Sequence, residues 1–297
     1  MTTRPTNPQP SVLPGVTAIV IFRNEKRHLD RCLRALRWCD EVIAVDMQSS
    51  DGSIKLAHEL ADRVLRVDAC PIAEPTRVAA ARLARHDWVL LVDPDEVIPP
   101  SLVEDIRSAI VEHPDAGAFS LPMCFYFKGQ RLAGTVWGTL TYKQRLIHRQ
   151  RCDLLPLCNR ISQLKPGQRD VRIPHTGDNH MRHYWSDAYT DLLHKHFVRY
   201  AHKEAAAMVA QGGRFSLRAG FITPLVELKK SLKDFDGWRI GLRGWLLSGV
   251  YFGYTLASQW LTLYYQWHGA PADDTVTYPL PDLTEASTSA SMRRLAA

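Results

Sequence analysis

The chain has 297 residues, of which 45% are hydrophobic and 23% charged, and its formal net charge is +6. This composition is typical of a folded globular protein of one or two domains. The basic residues are spread along the chain, which argues against a nucleic-acid partner and leaves anionic small molecules or a phospholipid surface.

Residues 1–14 are polar and rich in proline and threonine, which predicts a disordered tail without the features of a signal peptide. The chain has six cysteines, and none of them form a CxxC pair. We therefore expect reduced thiols in a cytoplasmic protein.

The first predicted element is the segment VTAIVIF at residues 16–22. It is a mostly β-branched run without alternation, as expected for a strand buried on both faces. Apolar residues then recur with helical spacing at Leu29, Cys32, Leu33 and Leu36, which predicts an amphipathic helix.

The same alternation of strand and helix continues along the chain. The predicted elements are, in order, a strand at 41–45, a helix at 53–61, a strand in RVLRVDA, a helix in TRVAAARLARHD, a strand in WVLLV, a helix at 101–112 and a strand in AGAFSLP. This order predicts an α/β fold with a parallel sheet and helices on both faces. Ligands of such sheets bind beyond the carboxyl ends of the strands, where Asp46 and Asp93 fall.

The strand WVLLV ends in an acidic turn, Asp93-Pro94-Asp95-Glu96, where a solvated turn would need a single acid. Asp93 and Asp95 can point the same way. A hard divalent cation such as Mg²⁺ or Mn²⁺ takes one or two carboxylates together with substrate phosphates. The alternative is that these acids only cap the helix that begins near Ser101.

Three segments of the chain together resemble the family 2 glycosyltransferases, which have the GT-A nucleotide-sugar fold. They are VTAIVIFRNEKRHLDRCLRAL, DEVIAVDMQSSDGS and WVLLVDPDEVIPP. In the family order they carry the N-E pair, the D-x-x-S-x-D-x-[ST] motif and the D-x-D-E motif. The chain looks most similar to the bacterial branch that adds sugars to the lipopolysaccharide core or similar envelope glycans. We therefore expect a GT-A fold with a mostly parallel central sheet flanked by helices and a C-terminal helical extension.

Carried over residue by residue, the resemblance implies that Asp46 binds the nucleotide base, commonly uracil. Asp93 would contact the ribose or the water shell of the metal, and Asp95 would ligate a divalent metal, Mg²⁺ or Mn²⁺. Arg145, in KQRLIHR, would face the donor phosphates, although a surface arginine is the alternative. His183, in the family's H-Y pair, would complete the metal shell or contact the diphosphate, although an ordinary cleft or surface histidine is the alternative.

Other residues of the family pattern have structural roles or are missing. Four residues are expected to shape loops and cap the next helix: Asn24, Glu25, Asp51 and Ser53. The related branch usually has a His-Glu pair in the interval 149–175, and this chain has none there. Inverting transfer needs a general base to deprotonate the acceptor hydroxyl. Our first candidate is Asp178, with Asp153 and Glu96 as alternatives.

The resulting prediction is an inverting glycosyltransferase with a nucleotide-sugar donor, such as a UDP-sugar, and a glycan or glycolipid acceptor. One alternative is a nucleotidyltransferase of related fold, but that class opens with a glycine-rich phosphate loop, and IFRNEKRH contains no glycine. The other alternative is a catalytically decayed scaffold, against which the intact Asp46, Asp93 and Asp95 argue.

The segment 244–267 contains many Trp and Tyr residues and no charged ones, and it follows a run of basic residues. This combination predicts an interfacial helix or helical hairpin on the cytoplasmic face of a membrane, and hence a peripheral membrane protein. A helix packed on the protein and a membrane-spanning helix remain as alternatives. The expected organisation is a tail at 1–14, a GT-A domain at 15–225, a helical region at 226–268 and a flexible tail at 269–297.

Overall fold

A computed structural model describes residues 14–70, 72–157, 160–210, 212–270 and 279–286. The predicted tails at 1–14 and 269–297 therefore lie largely outside the described residues, as does Cys158. The described chain forms two compact units. The first is drawn from residues 14–122, 142–180 and 279–286, and the second from 123–141 and 181–270.

The first unit is built around a sheet whose strands run in the order β13-β3-β2-β1-β4-β8-β6. Strands β1 to β4 are mutually parallel, and β8 is antiparallel to β4. The strands of this sheet are β1 (Val16–Phe22), β2 (Glu41–Asp46), β3 (Arg63–Arg66), β4 (Trp88–Val92), β6 (Ala118–Phe127), β8 (Thr141–His148) and β13 (Thr284–Glu285). Every residue of β1, β2 and β4 is buried, as the unbroken apolar runs predict.

Shorter strands and four helices complete this unit. The strands are β5 (Glu96–Val97), β9 (Cys152–Leu157), β10 (Arg160–Leu164) and β11 (Asp170–Arg172). The helices are α1 (Lys26–Ala35), α2 (Ser53–Leu60), α3 (Glu74–Arg82) and α4 (Pro100–Glu112). Helix α1 buries Leu29, Cys32 and Leu33, which confirms the predicted amphipathic helix. The prediction of an α/β fold with a mostly parallel sheet flanked by helices is also confirmed.

The second unit contains the end of β6, two short strands and a series of helices. The strands are β7 (Gln130–Arg131) and β12 (Met181–Ser186). The α-helices are α5 (Tyr189–Leu193), α6 (Ala201–Ala210), α7 (Thr223–Lys229) and α8 (Leu242–His268). Three π-helices and one 3-10 helix lie between them, at His194–Tyr200, Arg218–Ile222, Lys230–Asp234 and Gly237–Ile240. Its core joins Phe127, Leu132, Trp185, Leu192 and Leu247.

Helix α8 contains the whole of the uncharged, aromatic-rich segment that was predicted to be helical. The helix is continuous from Leu242 to His268. No helix in the described part of the chain combines the length and the apolar character that crossing a membrane would require.

Candidate active site

The predicted site lies at the edge of the sheet where parallel strands end. Asp46, the last residue of β2, lies beside Phe22 at the end of β1, and Val92 at the end of β4 lies beside Val20. The loops after β1, β2 and β4 therefore leave the sheet on the same side. This is the position in which open α/β sheets bind ligands, and it brings together the residues around Asp46 and Asp93.

The loops after β1 and β2 are joined by hydrogen bonds between backbone and side chains. Ser49 Oγ accepts the N–H of Asn24 at 2.9 Å, and Asn24 Oδ1 accepts the N–H of Ser50 at 2.8 Å. Asp51 Oδ2 accepts the N–H of Lys26 at 2.9 Å. These bonds connect the first two motifs of the sequence into one rigid loop pair.

Two further bonds support the structural role expected for Asp51 and Ser53. Ser53 Oγ accepts the N–H of Glu25 at 2.9 Å. Asp51 Oδ1 accepts the N–H of Ser53, at the start of α2, at 2.9 Å. Partial burial opposes ionisation of Asp51, but the bonds from Ser53 and Lys26 outweigh it and lower the pKa of this carboxyl group.

Asp46 is fully buried at the end of β2. Its Oδ1 accepts the N–H of Ser49 at 2.9 Å, and its Oδ2 accepts from Nε of Arg66 at 3.3 Å. Arg66 is half exposed, with 49% of its side chain accessible. The carboxylate of Asp46 is thus held by the loop of its own motif and by the half-exposed guanidinium of Arg66.

A buried ion-pair network holds the acidic turn in place. Glu96 is fully buried and accepts the N–H of Asp93 at 2.9 Å. Arg145, which is 5% exposed, donates from Nη2 to Oδ2 of Asp93 at 2.8 Å and also to Glu96. Arg145 is therefore buried against the turn, which excludes the alternative that it is a surface arginine. Its contact with donor phosphates stays a prediction.

Arg77 is the site residue that sequence reasoning missed. It lies in α3, is 8% exposed and donates to Oδ1 of Asp93. The available signal was its spacing. Arg77 stands three, four and seven residues before the buried Ala80, Ala81 and Ala84, so a charged residue falls on the same side of the helix as these apolar ones. A charge in that position indicates a buried ion pair.

The charges of the turn affect the titration of their neighbours. Burial opposes the charge of Arg145, but the attraction of Glu96 and Asp93 prevails and raises the pKa of the guanidinium above its usual value. Burial, and then the negative charges of Glu96, Asp95 and Asp93, raise the pKa of the Cys32 thiol well above its usual value. The carboxylates of the turn therefore stabilise the charged form of Arg145 and oppose ionisation of Cys32.

Asp95, the predicted metal ligand, is half-buried, as is Asp93. Among the described residues, no three His, Cys, Asp or Glu side chains are grouped as ligands for a metal ion. Hard cations such as Mg²⁺ are often held by one or two carboxylates, with substrate phosphates supplying further oxygens. The donor set at this turn consists of oxygens and fits such a cation, bound together with a diphosphate.

Asp178 lies in the loop before β12, in the first unit. Its side chain is 64% exposed, with Oδ1 3.7 Å from Nδ1 of the fully buried His180. Its backbone carbonyl accepts from Ser101, in the first turn of the helix that follows the acidic turn. Of the alternative bases, Glu96 is buried against Arg145, and Asp153 is exposed and pairs with Lys165 at 3.7 Å.

His183 belongs to β12 in the second unit, where it stacks on Phe125 with 4.9 Å between ring centroids. The other predicted site residues all belong to the first unit. The role of His183 as a metal ligand stays a prediction.

Two comparisons identify relatives of this chain. The family model described as Glycosyl transferase family 2 matches residues 17–166, half of the chain. A TPR repeat-containing protein of Synechococcus elongatus is 31% identical over 112 residues, which cover 37% of this chain and 28% of that protein. An uncharacterized glycosyltransferase of Rickettsia conorii is 28% identical over 110 residues, covering 35% and 36% respectively. The chain spans about a third of the length of these curated relatives.

Solved structures with a similar fold include the mannosyltransferase PcManGT from Pyrobaculum calidifontis in complex with GDP-Man and Mn²⁺. It superposes with a TM-score of 0.50 at 14% identity, covering 89% of this chain and 91% of that chain. S. aureus TarS 1–349 gives a TM-score of 0.41 at 16% identity, covering 86% and 92%. The first likeness supports the predicted GT-A fold. Because the family model covers half of the sequence, including all three motifs at the sheet edge, this chain belongs to glycosyl transferase family 2.

Proposed function

We propose that this chain is an inverting glycosyltransferase that transfers a sugar from a nucleotide-sugar donor to a hydroxyl group of an envelope glycan or lipid-linked acceptor. The observation that carries the proposal is the buried Asp46 and the acidic turn at the same edge of a parallel sheet. Family membership supplies the reaction class, and the carboxylates supply the means to bind a nucleotide and a metal.

The donor would lie across this edge, with its base toward Asp46 and its ribose toward Asp93. Asp46 is held so that it keeps a fixed direction, because Ser49 N–H and Arg66 bond to its two oxygens. A carboxylate can accept from the N–H of uracil or of guanine. PcManGT, which shares the fold, binds GDP-Man, and this supports a nucleotide sugar without distinguishing uracil from guanine.

Asp95 would hold a divalent cation together with the donor diphosphate. When bound, the cation would stabilise the negative charge that develops on the leaving diphosphate. Asp93 is bonded to both Arg77 and Arg145, which fixes the direction of the turn and hence of Asp95. The Mn²⁺ in the PcManGT complex supports this cofactor.

Asp178 would accept the proton of the acceptor hydroxyl. Its exposure and its contact with the first turn of α4 support this role, because a base must reach the acceptor from solvent. Glu96 is less suited, since its carboxylate is buried and bonded to Arg145.

The proposed acceptor class and location are drawn from the sequence resemblance and from helix α8. The sequence resemblance favours the branch that builds the lipopolysaccharide core or similar glycans, whose acceptors are carried on lipid at the cytoplasmic face of the membrane. The uncharged, aromatic-rich helix α8 supports a peripheral location on that face.

A donor screen tests the proposed reaction. The purified chain is incubated with Mn²⁺ and single UDP-, GDP- or other nucleotide-activated sugars, and release of nucleotide is followed with time. We expect release from one donor or a narrow group of donors, stimulated by a glycan acceptor. Release from none of them, with or without acceptor, would count against a transferase.

A further inference from the structure

Helix α8 directs several large apolar side chains outward near each of its ends. Six buried positions lie on one side of the helix: Gly244, Leu247, Ser248, Ser258, Thr262 and Tyr265. The large exposed side chains lie on the opposite side: Leu242, Trp245, Leu246, Trp260, Tyr264 and Trp267. A surface helix of a globular protein ordinarily has the reverse arrangement, with its apolar stripe facing the core.

The orientation of α8 is fixed by specific contacts on its inner side. Ser248 Oγ lies 2.7 Å from Ser231 Oγ, and the hydroxyl of Tyr265 lies 2.6 Å from Nδ1 of His202. A Cβ atom at Gly244 would lie 1.8 Å from the carbonyl oxygen of Gly237. Rotation of the helix about its axis would break these contacts, so they fix which side chains of α8 face outward.

A second segment extends this face. It contributes the exposed side chains Leu217, Phe221, Ile222, Leu225 and Val226. Its rings meet those of α8 at Trp260, whose centroid lies 5.3 Å from that of Phe215 and 5.4 Å from that of Phe221. We call the exposed residues of both segments the apolar face. Its extreme members are highly accessible, with Leu217 72%, Leu242 75% and Trp267 79% exposed.

Exposed cations accompany the apolar face in the same part of the chain. They are Arg214, Arg218, Lys229, Lys233 and Arg239. Acidic residues are fewer between residues 212 and 270, namely Glu227, Asp234 and Asp236. The segment from Gly244 to Trp267 has no charged residue at all.

We propose that the apolar face docks on the anionic surface of a lipid bilayer, with α8 parallel to the membrane plane. Trp and Tyr favour the headgroup region, where one edge of the ring is wet and the other apolar. Leu242 and Trp267 stand about 38 Å apart along the helix at 1.5 Å per residue, so exposed apolar side chains at both ends of α8 could reach the same planar surface. The flanking cations would meet anionic headgroups.

A second copy of this chain is the competing occupant. A twofold contact places the same patch of both subunits face to face, and it would bring the cations of one copy toward those of the other. Like charges in proximity are unfavourable, so the charge pattern favours lipid. The inference deepens the proposed membrane location by naming the surface and its orientation. It rests on that location but not on the transfer reaction.

Vesicle flotation tests the docking surface. The full chain is mixed with vesicles of phosphatidylcholine alone or of phosphatidylcholine with phosphatidylglycerol. We expect flotation with the anionic vesicles. Trp245→Ser/Trp267→Ser should weaken it by at least about tenfold, because less apolar area enters the interface. Lys229→Gln/Lys233→Gln should weaken binding to anionic vesicles only, by about fivefold per charge. Val111→Ser, at a 51% exposed position in α4, is the matched control and should change nothing.

Three outcomes would overturn the inference. They are no flotation of the wild-type chain, equal flotation of Trp245→Ser/Trp267→Ser and the control, or a wild-type dimer in light scattering that this variant converts to a monomer. Nucleotide release from a donor sugar is measured on the same variants without vesicles. A variant that releases nucleotide but does not float separates failure of docking from failure of the proposed function.

Discussion

Arg145 lies at the centre of the charges beneath the acidic turn. Its guanidinium bonds to both Asp93 and Glu96, and Glu96 is fully buried. The loss of one partner from a buried ion pair leaves an uncompensated charge in a medium of low polarity, which typically costs about 3–5 kcal/mol. Removal of the Arg145 guanidinium should therefore destabilise the turn, even though Arg77 still pairs with Asp93.

Arg145→Met should lower the free energy of unfolding by about 3–5 kcal/mol, measured by urea denaturation. Arg149→Met is the matched control. Arg149 pairs with Asp87 near the surface, Nε to Oδ1 at 2.9 Å, where an ion pair contributes at most about 1 kcal/mol. If Glu96 is the uncompensated charge, Arg145→Met/Glu96→Gln should recover part of the loss. Equal losses in Arg145→Met and Arg149→Met would contradict this account.

Asp178→Asn should reduce kcat by roughly a hundredfold, as loss of a general base does, and leave donor affinity nearly unchanged. Asp153→Asn is the control, since Asp153 is similarly exposed, at 65% of its side chain. If Asp178→Asn had a kcat near that of the wild type and Asp153→Asn were inactive, Asp153 and not Asp178 would be the general base.

The loops after β1 and β2 act as one element because their side chains bond across to each other's backbone. Asn24 and Gln48 both have positive φ, at 57° and 60°, a region that asparagine tolerates better than most residues. Asn24 also accepts the N–H of Ser50. The sharp turn after β1 and its connection to the loop of Asp46 thus both depend on Asn24.

Asn24→Ala should cost about 1–3 kcal/mol of stability, because alanine is strained at positive φ and the bond to Ser50 is lost. Asn24→Gly keeps the backbone conformation and should cost less. Both variants should raise the donor KM, since the loop that holds Asp46 loosens. Thermal unfolding and donor kinetics measure the two effects, and an Asn24→Gly variant less stable than Asn24→Ala would refute the role of φ.

At the scale of helices and strands, the sequence predicts those features that depend on the local pattern of apolar residues. The unbroken apolar runs predict β1, β2 and β4, and helical spacing predicts α1. A strand buried on both faces and a helix buried on one stripe each have a characteristic pattern of apolar residues in the sequence. The pairing of β13 with β3 joins residues far apart in the chain and leaves no such mark. Arg77 was missed because its partner Asp93 lies in another element. The direction in which α8 faces depends on contacts such as that of Gly244 with Gly237, which no periodicity reveals.

At the scale of the whole molecule, the buried His196 should make the stability of the protein depend on pH. His196 lies among the rings of Trp137, Trp185, Tyr200 and Tyr254, and burial lowers its pKa. The unfolded chain therefore binds a proton more readily at this site. The contribution of the neutral His196 to the free energy of unfolding is therefore complete at pH values above the pKa of an unfolded-chain histidine, about 6.5. This contribution is lost as the pH falls through and below that value.

His196→Phe should reduce the fall in melting temperature between about pH 7 and pH 5, because the uncharged ring has no proton to bind. His194→Phe, at an exposed neighbouring position, serves as control and should retain the wild-type fall. Calorimetry at several pH values measures the difference. An unchanged pH dependence in His196→Phe would show that other groups carry the effect.

We propose that the acidic turn and Asp46 form a metal-assisted nucleotide-sugar site, and metal-dependent nucleotide binding tests this most directly. UDP and GDP are titrated calorimetrically into the wild-type chain, Asp95→Ala and Asp68→Ala, each with Mn²⁺ or with chelator. Asp68 is an exposed acid beyond β3 at the same edge of the sheet. We predict that one nucleotide binds the wild-type chain and Asp68→Ala only with Mn²⁺, and that Asp95→Ala loses this affinity. Equal affinity in Asp95→Ala, or undiminished affinity in chelator, would contradict the claim.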